Sequence, residues 1–119
     1  MIKVYICSPY RADTPEGIQA NERKAKQYCK IACKAGYIPM APHLYFTRFL
    51  KDSKPDEREL GMQIGIELLK ECKELWACGD HISEGMRAEL EVAIANKIPV
   101  RFFFNDTELE EFIKGGSKE

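Results

Sequence analysis

The residue with the sharpest chemical character is Glu89, within the segment "GDHISEGMRAELEVA" of residues 79–93. Laid out as a helix from Ser83 at about 100° per residue, the segment puts Glu84, Arg87 and Glu91 on a polar side, and Met86, Leu90, Ala93 and Ile94 on the other. Glu89 does not join its fellow charges: it falls between Val92 and Ala93, on the flank that faces the protein. A carboxylate held there is either satisfied by a buried tyrosine or arginine, or reserved for a ligand.

Other acid–base candidates are few. The only histidines are His43 and His81. Tyr5 sits inside the first apolar run, Arg11 follows it, and Glu67 precedes a Leu-Leu pair on a helical stretch. Each has a bland reading as well: a core aromatic, a surface charge, a solvated helix face. There is no glycine-rich dinucleotide fingerprint, no phosphate loop and no nucleophile-elbow serine.

The elements that must position these groups alternate strand with helix. "IKVYIC" reads as a buried first strand. Thr14 and Pro15 form an N-cap and first helical position for a helix that passes through Ala20, Ala25, Tyr28 and Ala32 and stops at Gly36. "YIPMAP" is a second strand, and the aromatic stretch "HLYFTRFLKDSKP" follows it. Asp56 and Glu59 predict a capping-box start to a helix reaching Cys72. "ELWACG" is the third strand, Ser83 to Asn96 the next helix, "IPVRFFF" the fourth strand and "DTELEEFIKG" a last helix. The pattern implies a parallel sheet with helices on both faces, and ligands beyond the carboxyl ends of its strands where strand order reverses. Residues 1–114 form one domain and 115–119 a flexible tail.

With 119 residues, a formal net charge of −1 and 31% charged residues, bulk electrostatics favour neither nucleic acid nor a membrane surface. No apolar run is long enough for a signal peptide or a membrane span. Five cysteines, an odd number, read as reduced thiols with structural roles, and the compartment as cytoplasmic. Cys29 and Cys33 lack two further ligands for zinc, so no metal and no cofactor is expected.

Taken together, Tyr-x-Cys-x-x-x-Arg at Tyr5, Cys7 and Arg11, the acid before Leu-Leu at Glu67, and Ser-x-Gly-x-x-x-Glu-Leu at Ser83, Gly85, Glu89 and Leu90 form a recognisable pattern. The chain resembles the nucleoside 2-deoxyribosyltransferase superfamily, and within it the 2′-deoxynucleoside 5′-phosphate N-hydrolases, over residues 3–101. The resemblance implies a small flavodoxin-like or Rossmann-like sheet of four to five parallel strands. It implies cleavage of an N-glycosidic bond, with Glu89 as the nucleophile at the anomeric carbon and Tyr5 beside it. Glu67 matches an aspartate that contacts the sugar or serves proton transfer to the departing base, here one methylene longer. Ser83 matches a serine that binds a 5′-phosphate, with an ordinary N-cap as the equal alternative, and Arg11 would be the charged partner of that phosphate.

The strand ends supply the remaining expected substrate contacts: Ser8, Pro9 and Tyr10 after the first strand, His43 after the second, Gly79 and Asp80 after the third, and Gly85 and Met86 on the following helix. "SPYR" departs from the smaller turn of the nucleotide hydrolases, and Glu91 stands where many members have glycine. His43, Tyr45 and Phe46 are candidates to stack on a base as a lid, or to pack in the core; His81 reads as a surface residue. The implied partners are a small nucleotide or nucleoside and further copies of the chain, with "RFFF" and Trp76 compatible with such a contact. An enzyme and a non-catalytic nucleotide-binding module remain the two readings, and inward burial of Glu89 favours the enzyme.

Overall fold

The computed structural model describes residues 1–116. Four strands, β1 (Lys3–Cys7), β2 (Ile38–Met40), β3 (Glu74–Cys78) and β4 (Val100–Phe103), form one sheet in the order β2-β1-β3-β4. Every pairing is parallel, with Tyr5 opposite Leu75 and Cys7 opposite Ala77. Five helices connect or follow them: α1 (Pro15–Lys34), α2 (Pro42–Tyr45), α3 (Pro55–Lys70), α4 (Glu84–Ala95) and α5 (Asp106–Gly116). A 3-10 turn over Phe46–Arg48 extends α2. This is the α/β architecture that the alternating pattern predicts, with the small flavodoxin-like sheet that the resemblance implies.

The two-residue period of the strands divides the core into two layers. Val4 and Ile6 on β1, with Trp76, Cys78 and Phe103, meet Tyr28 and Ala32 of α1 and Leu109 of α5. Tyr5 and Cys7, with Leu75 and Ala77, meet Leu69 of α3 and Met86 and Ala93 of α4. Helices therefore cover both faces, and the central strand β1 sends Tyr5 and Cys7 to the α3/α4 side. Connections leave β1 toward β2 and β3 toward β4, so strand order reverses between β1 and β3.

The local signals behave as their chemistry dictates. The Thr14 hydroxyl accepts from the Gly17 N–H at 3.0 Å with Pro15 behind it, and α1 ends in a Schellman motif with Gly36 at φ +91°. α4 closes the same way, its Lys97 and Ile98 N–H groups reaching the Ile94 and Ala93 carbonyls at 3.1 and 2.9 Å, but with Lys97 at φ +58° where glycine would be unstrained.

Four expectations are corrected. α3 begins at Pro55 with Lys54 as an N-cap that makes no side-chain bond, so Asp56 is no cap; Pro55 sets the helix start, and the Glu57 carboxylate instead accepts from the Lys51 N–H at 2.8 Å. α3 ends at Lys70, short of Cys72. Ile94 is 69% exposed, because Ala93, one residue earlier, takes the inward position in the last turn of α4 and is fully buried. α5 runs to Gly116, one residue beyond the expected last helix, and residues 117–119 of the expected tail lie outside the described residues.

Candidate functional site

Glu89 points inward from α4 onto the α3/α4 face of β1. The Tyr5 hydroxyl donates to Glu89 Oε2, and the Cys7 thiol lies 3.3 Å from Oε1. Both carboxylate oxygens are thus held by neutral donors from one strand, because Tyr5 and Cys7 are two residues apart and share a face. The Cys7 sulfur also lies 3.9 Å from the Met86 carbonyl, one turn before Glu89. Burial raises the Glu89 pKa, partly offset by the bonds from Tyr5 and Cys7. Burial first, and then the Glu89 charge, push the Tyr5 phenol and Cys7 thiol well above their ordinary ranges, so both stay protonated donors.

The turns after β1 and β3 meet each other and α2. Ser8 is buried, and its Oγ lies 3.4 Å from His43 Nε2. The Tyr10 and His43 rings meet edge-on at 5.8 Å. Burial lowers the His43 pKa to about 4, leaving the imidazole neutral at pH 7. Pro9 packs on Gly79: a Cβ at Gly79, whose φ is +134°, would lie 3.0 Å from Pro9 Cδ. The Gly79 N–H donates to the Phe103 carbonyl at 2.9 Å, tying the end of β3 to β4. The positive φ is available to glycine alone without strain.

At the start of α4, Ser83 is the N-cap, its hydroxyl accepting from the Met86 N–H at 3.3 Å. Met86 is buried beneath it, and Gly85 faces open space. The ordinary-cap reading of Ser83 is therefore realised, and the hydroxyl proton remains available to an acceptor.

Three sequence candidates lie elsewhere. Glu67 points out of α3, its side chain 73% exposed and 3.5 Å from Lys70 Nζ. The α3 position that faces the pair is Gly65, one turn before buried Leu69; a Cβ there would sit 3.6 Å from the Tyr5 hydroxyl. Helix spacing from Leu69 carried that signal, and the Leu-Leu match concealed it. Arg11 is exposed and ion-paired with Asp52 at 3.3 Å. Asp80 and His81 bond each other at 2.7 Å, both side chains exposed, and the His81 bond lowers the Asp80 pKa. Cys7 stands in the Tyr-x-Cys-x-x-x-Arg pattern with only a structural role expected of it; its two-residue spacing from Tyr5 is the sign that it reaches the same carboxylate.

An open groove of about 420 Å³ runs between Tyr10, Arg11, Thr47, Leu50 and Asp52, and none of Tyr5, Cys7 and Glu89 lines it. The Tyr45, Phe46 and Phe49 rings cluster edge-on at 5.1–5.6 Å on the surface, with Tyr45 61% and Phe49 55% exposed, so these two do not pack in the core. Trp76 is fully buried and unavailable for a subunit contact, whereas Phe102 and Phe104 are exposed. No described helix is long and apolar enough to cross a membrane.

A doubly wound α/β domain with a paired carboxylate beside its switch point is the class that fold and site define. The chain belongs to the family described as "Domain of unknown function (DUF7768)", whose model matches residues 2–103. Among solved structures it is similar to a 2-deoxyribosyltransferase from the psychrotolerant bacterium Bacillus psychrosaccharolyticus, at 19% identity and a TM-score of 0.64, over 86% of this chain and 72% of that one. That similarity is one of fold. No curated protein matches the sequence.

Proposed function

We propose that the protein cleaves the N-glycosidic bond of a nucleoside or nucleoside 5′-monophosphate, as a hydrolase or a 2-deoxyribosyltransferase, through a glutamyl-sugar ester on Glu89. The observation that carries this reading is the inward, half-buried Glu89 carboxylate, gripped by Tyr5 and Cys7 at the carboxyl end of β1. A carboxylate without a cationic partner is costly to bury, and ligand chemistry gives a reason to keep it. Glu89 attacks C1′, the C1′–N bond breaks, and water or a second base resolves the ester; the adjacent anion stabilises the oxocarbenium-like transition state. Tyr5 holds one oxygen and leaves the other, on the weaker thiol donor, free to attack. Ser83 with the α4 N-terminus favours a 5′-phosphate, and Arg11 reaches it only by leaving Asp52. Exposed Phe102 and Phe104 beside the β4 edge support a homo-oligomer, and the five free cysteines support a cytoplasmic setting.

A second reading is a nucleotide-sensing module with the same pocket, favoured by the outward Glu67, which leaves Glu89 without a second acid. Chromatography of base release from a ribo and deoxy panel, with and without an acceptor base, separates the two. The enzyme reading requires release that disappears in Glu89→Gln while ligand binding persists. Binding without release from any substrate favours the sensor.

A further inference from the structure

We propose that the leaving ring of the substrate already carries a positive charge: the site takes N-glycosides of quaternised, pyridinium-like or N-alkylated purine rings rather than neutral bases. This rests on Glu89 being the nucleophile and deepens that reading. Two features of the site carry it.

The first is the lack of an acid where a neutral base would need one. A neutral purine or pyrimidine departs with excess electron density on its nitrogen and is helped by a proton. The α3 position facing Tyr5 is Gly65, and Glu67 is turned outward onto Lys70. Asp80 and His81 pair with each other on the surface. His43 is uncharged at neutral pH with its Nε2 on Ser8, and the Tyr5 hydroxyl is committed to Glu89. None of these groups is poised to donate a proton to a departing base. A cationic ring needs none: as C1′–N breaks, the bonding pair returns to the ring nitrogen, cancels its charge and releases a neutral base.

The second is charge. Glu89 is partnered by a phenol and a thiol, and no ion pair reaches it among the described residues. The described ion pairs bind Lys3, Arg11, Lys54, Lys70, His81 and Arg101 to other carboxylates. A cationic substrate supplies the missing counter-charge to a desolvated anion, where Coulomb attraction is least screened. It thereby favours the ionised nucleophile at the moment it must attack. The atoms balance: Glu89 Oε1 bonds C1′, the neutral ring departs, water then adds at C1′, the ester C1′–O bond breaks to regenerate the carboxylate, and the water proton passes to solvent.

The test compares the purified full chain on matched substrates: nicotinamide riboside and nicotinamide mononucleotide, 7-methylguanosine against guanosine at pH 6, and 2′-deoxyadenosine and its 5′-monophosphate. Release from the cationic members at least ~100-fold faster than from guanosine, the scale of a missing general acid, is expected, with loss in Glu89→Gln. For nicotinamide riboside, whose ring charge does not titrate, kcat/KM rises as Glu89 ionises and then stays level into alkaline pH. Neutral and cationic rings released within about tenfold of each other, or a descending alkaline limb, would show an acid at work; either overturns the inference while leaving Glu89 as nucleophile. Release that survives Glu89→Gln, or none from any substrate, overturns both readings.

Discussion

Tyr5 and Glu89, 84 residues apart in the chain, share a hydrogen bond in which the β1 phenol donates to the α4 carboxylate. A hydrogen bond to a charged group is worth about 1.5–3 kcal/mol. Tyr5→Phe removes the donor while keeping the ring in its layer. Turnover should fall about 10–100-fold, and the ascending limb of the pH–rate profile should move to higher pH, because the bond favours the ionised carboxyl. A profile that stays in place would mean that Tyr5 acts only through packing.

Ser83 offers a graded test of the phosphate subsite. Ser83→Ala removes the cap of α4 and should cost about 1 kcal/mol of stability by chemical denaturation. If the hydroxyl also contacts phosphate, affinity for 5′-monophosphates should fall further than affinity for the parent nucleosides. Equal losses for both ligand types would leave Ser83 a cap and nothing more.

His43 makes the fold sensitive to mild acid. Its folded pKa, about 4, lies below the unfolded value near 6.5, so between them the unfolded chain binds more protons. The contribution is fully present above pH 6.5 and is lost as pH falls toward 4, up to roughly 3 kcal/mol. Glu89 opposes it, since a raised carboxyl pKa adds stability at low pH that is lost as pH rises through the folded value. Denaturation midpoints measured from pH 7 to 4 should decline, and His43→Gln should flatten the decline; an unchanged slope would remove His43 as its source.

Lys97 holds the αL position of the α4 Schellman motif at φ +58°. Lys97→Gly relieves that conformation at some cost in unfolded-chain entropy, for a net gain of about 0.5–1 kcal/mol. A higher melting temperature without altered ligand binding is expected. A lower one would show that the lysine side chain contributes more than its backbone costs.

Much of this molecule was readable from neighbouring residues alone. The Thr14–Pro15 start and Gly36 stop of α1 are properties of a few consecutive residues, as are the apolar runs that became β1 and β3. The turn of Glu89 toward the interior followed from a periodicity that any helix there must obey. Tertiary structure decided which long-range neighbours met. It paired Cys7 with Glu89 across 82 residues, brought Gly65 rather than Glu67 to Tyr5, gave Arg11 to Asp52 and left Ile94 in solvent. Those outcomes depend on the azimuth of each helix over the sheet. The register between helix and sheet arises only when the two layers pack, so a match between short motifs could name Glu67 while the packing chose Gly65.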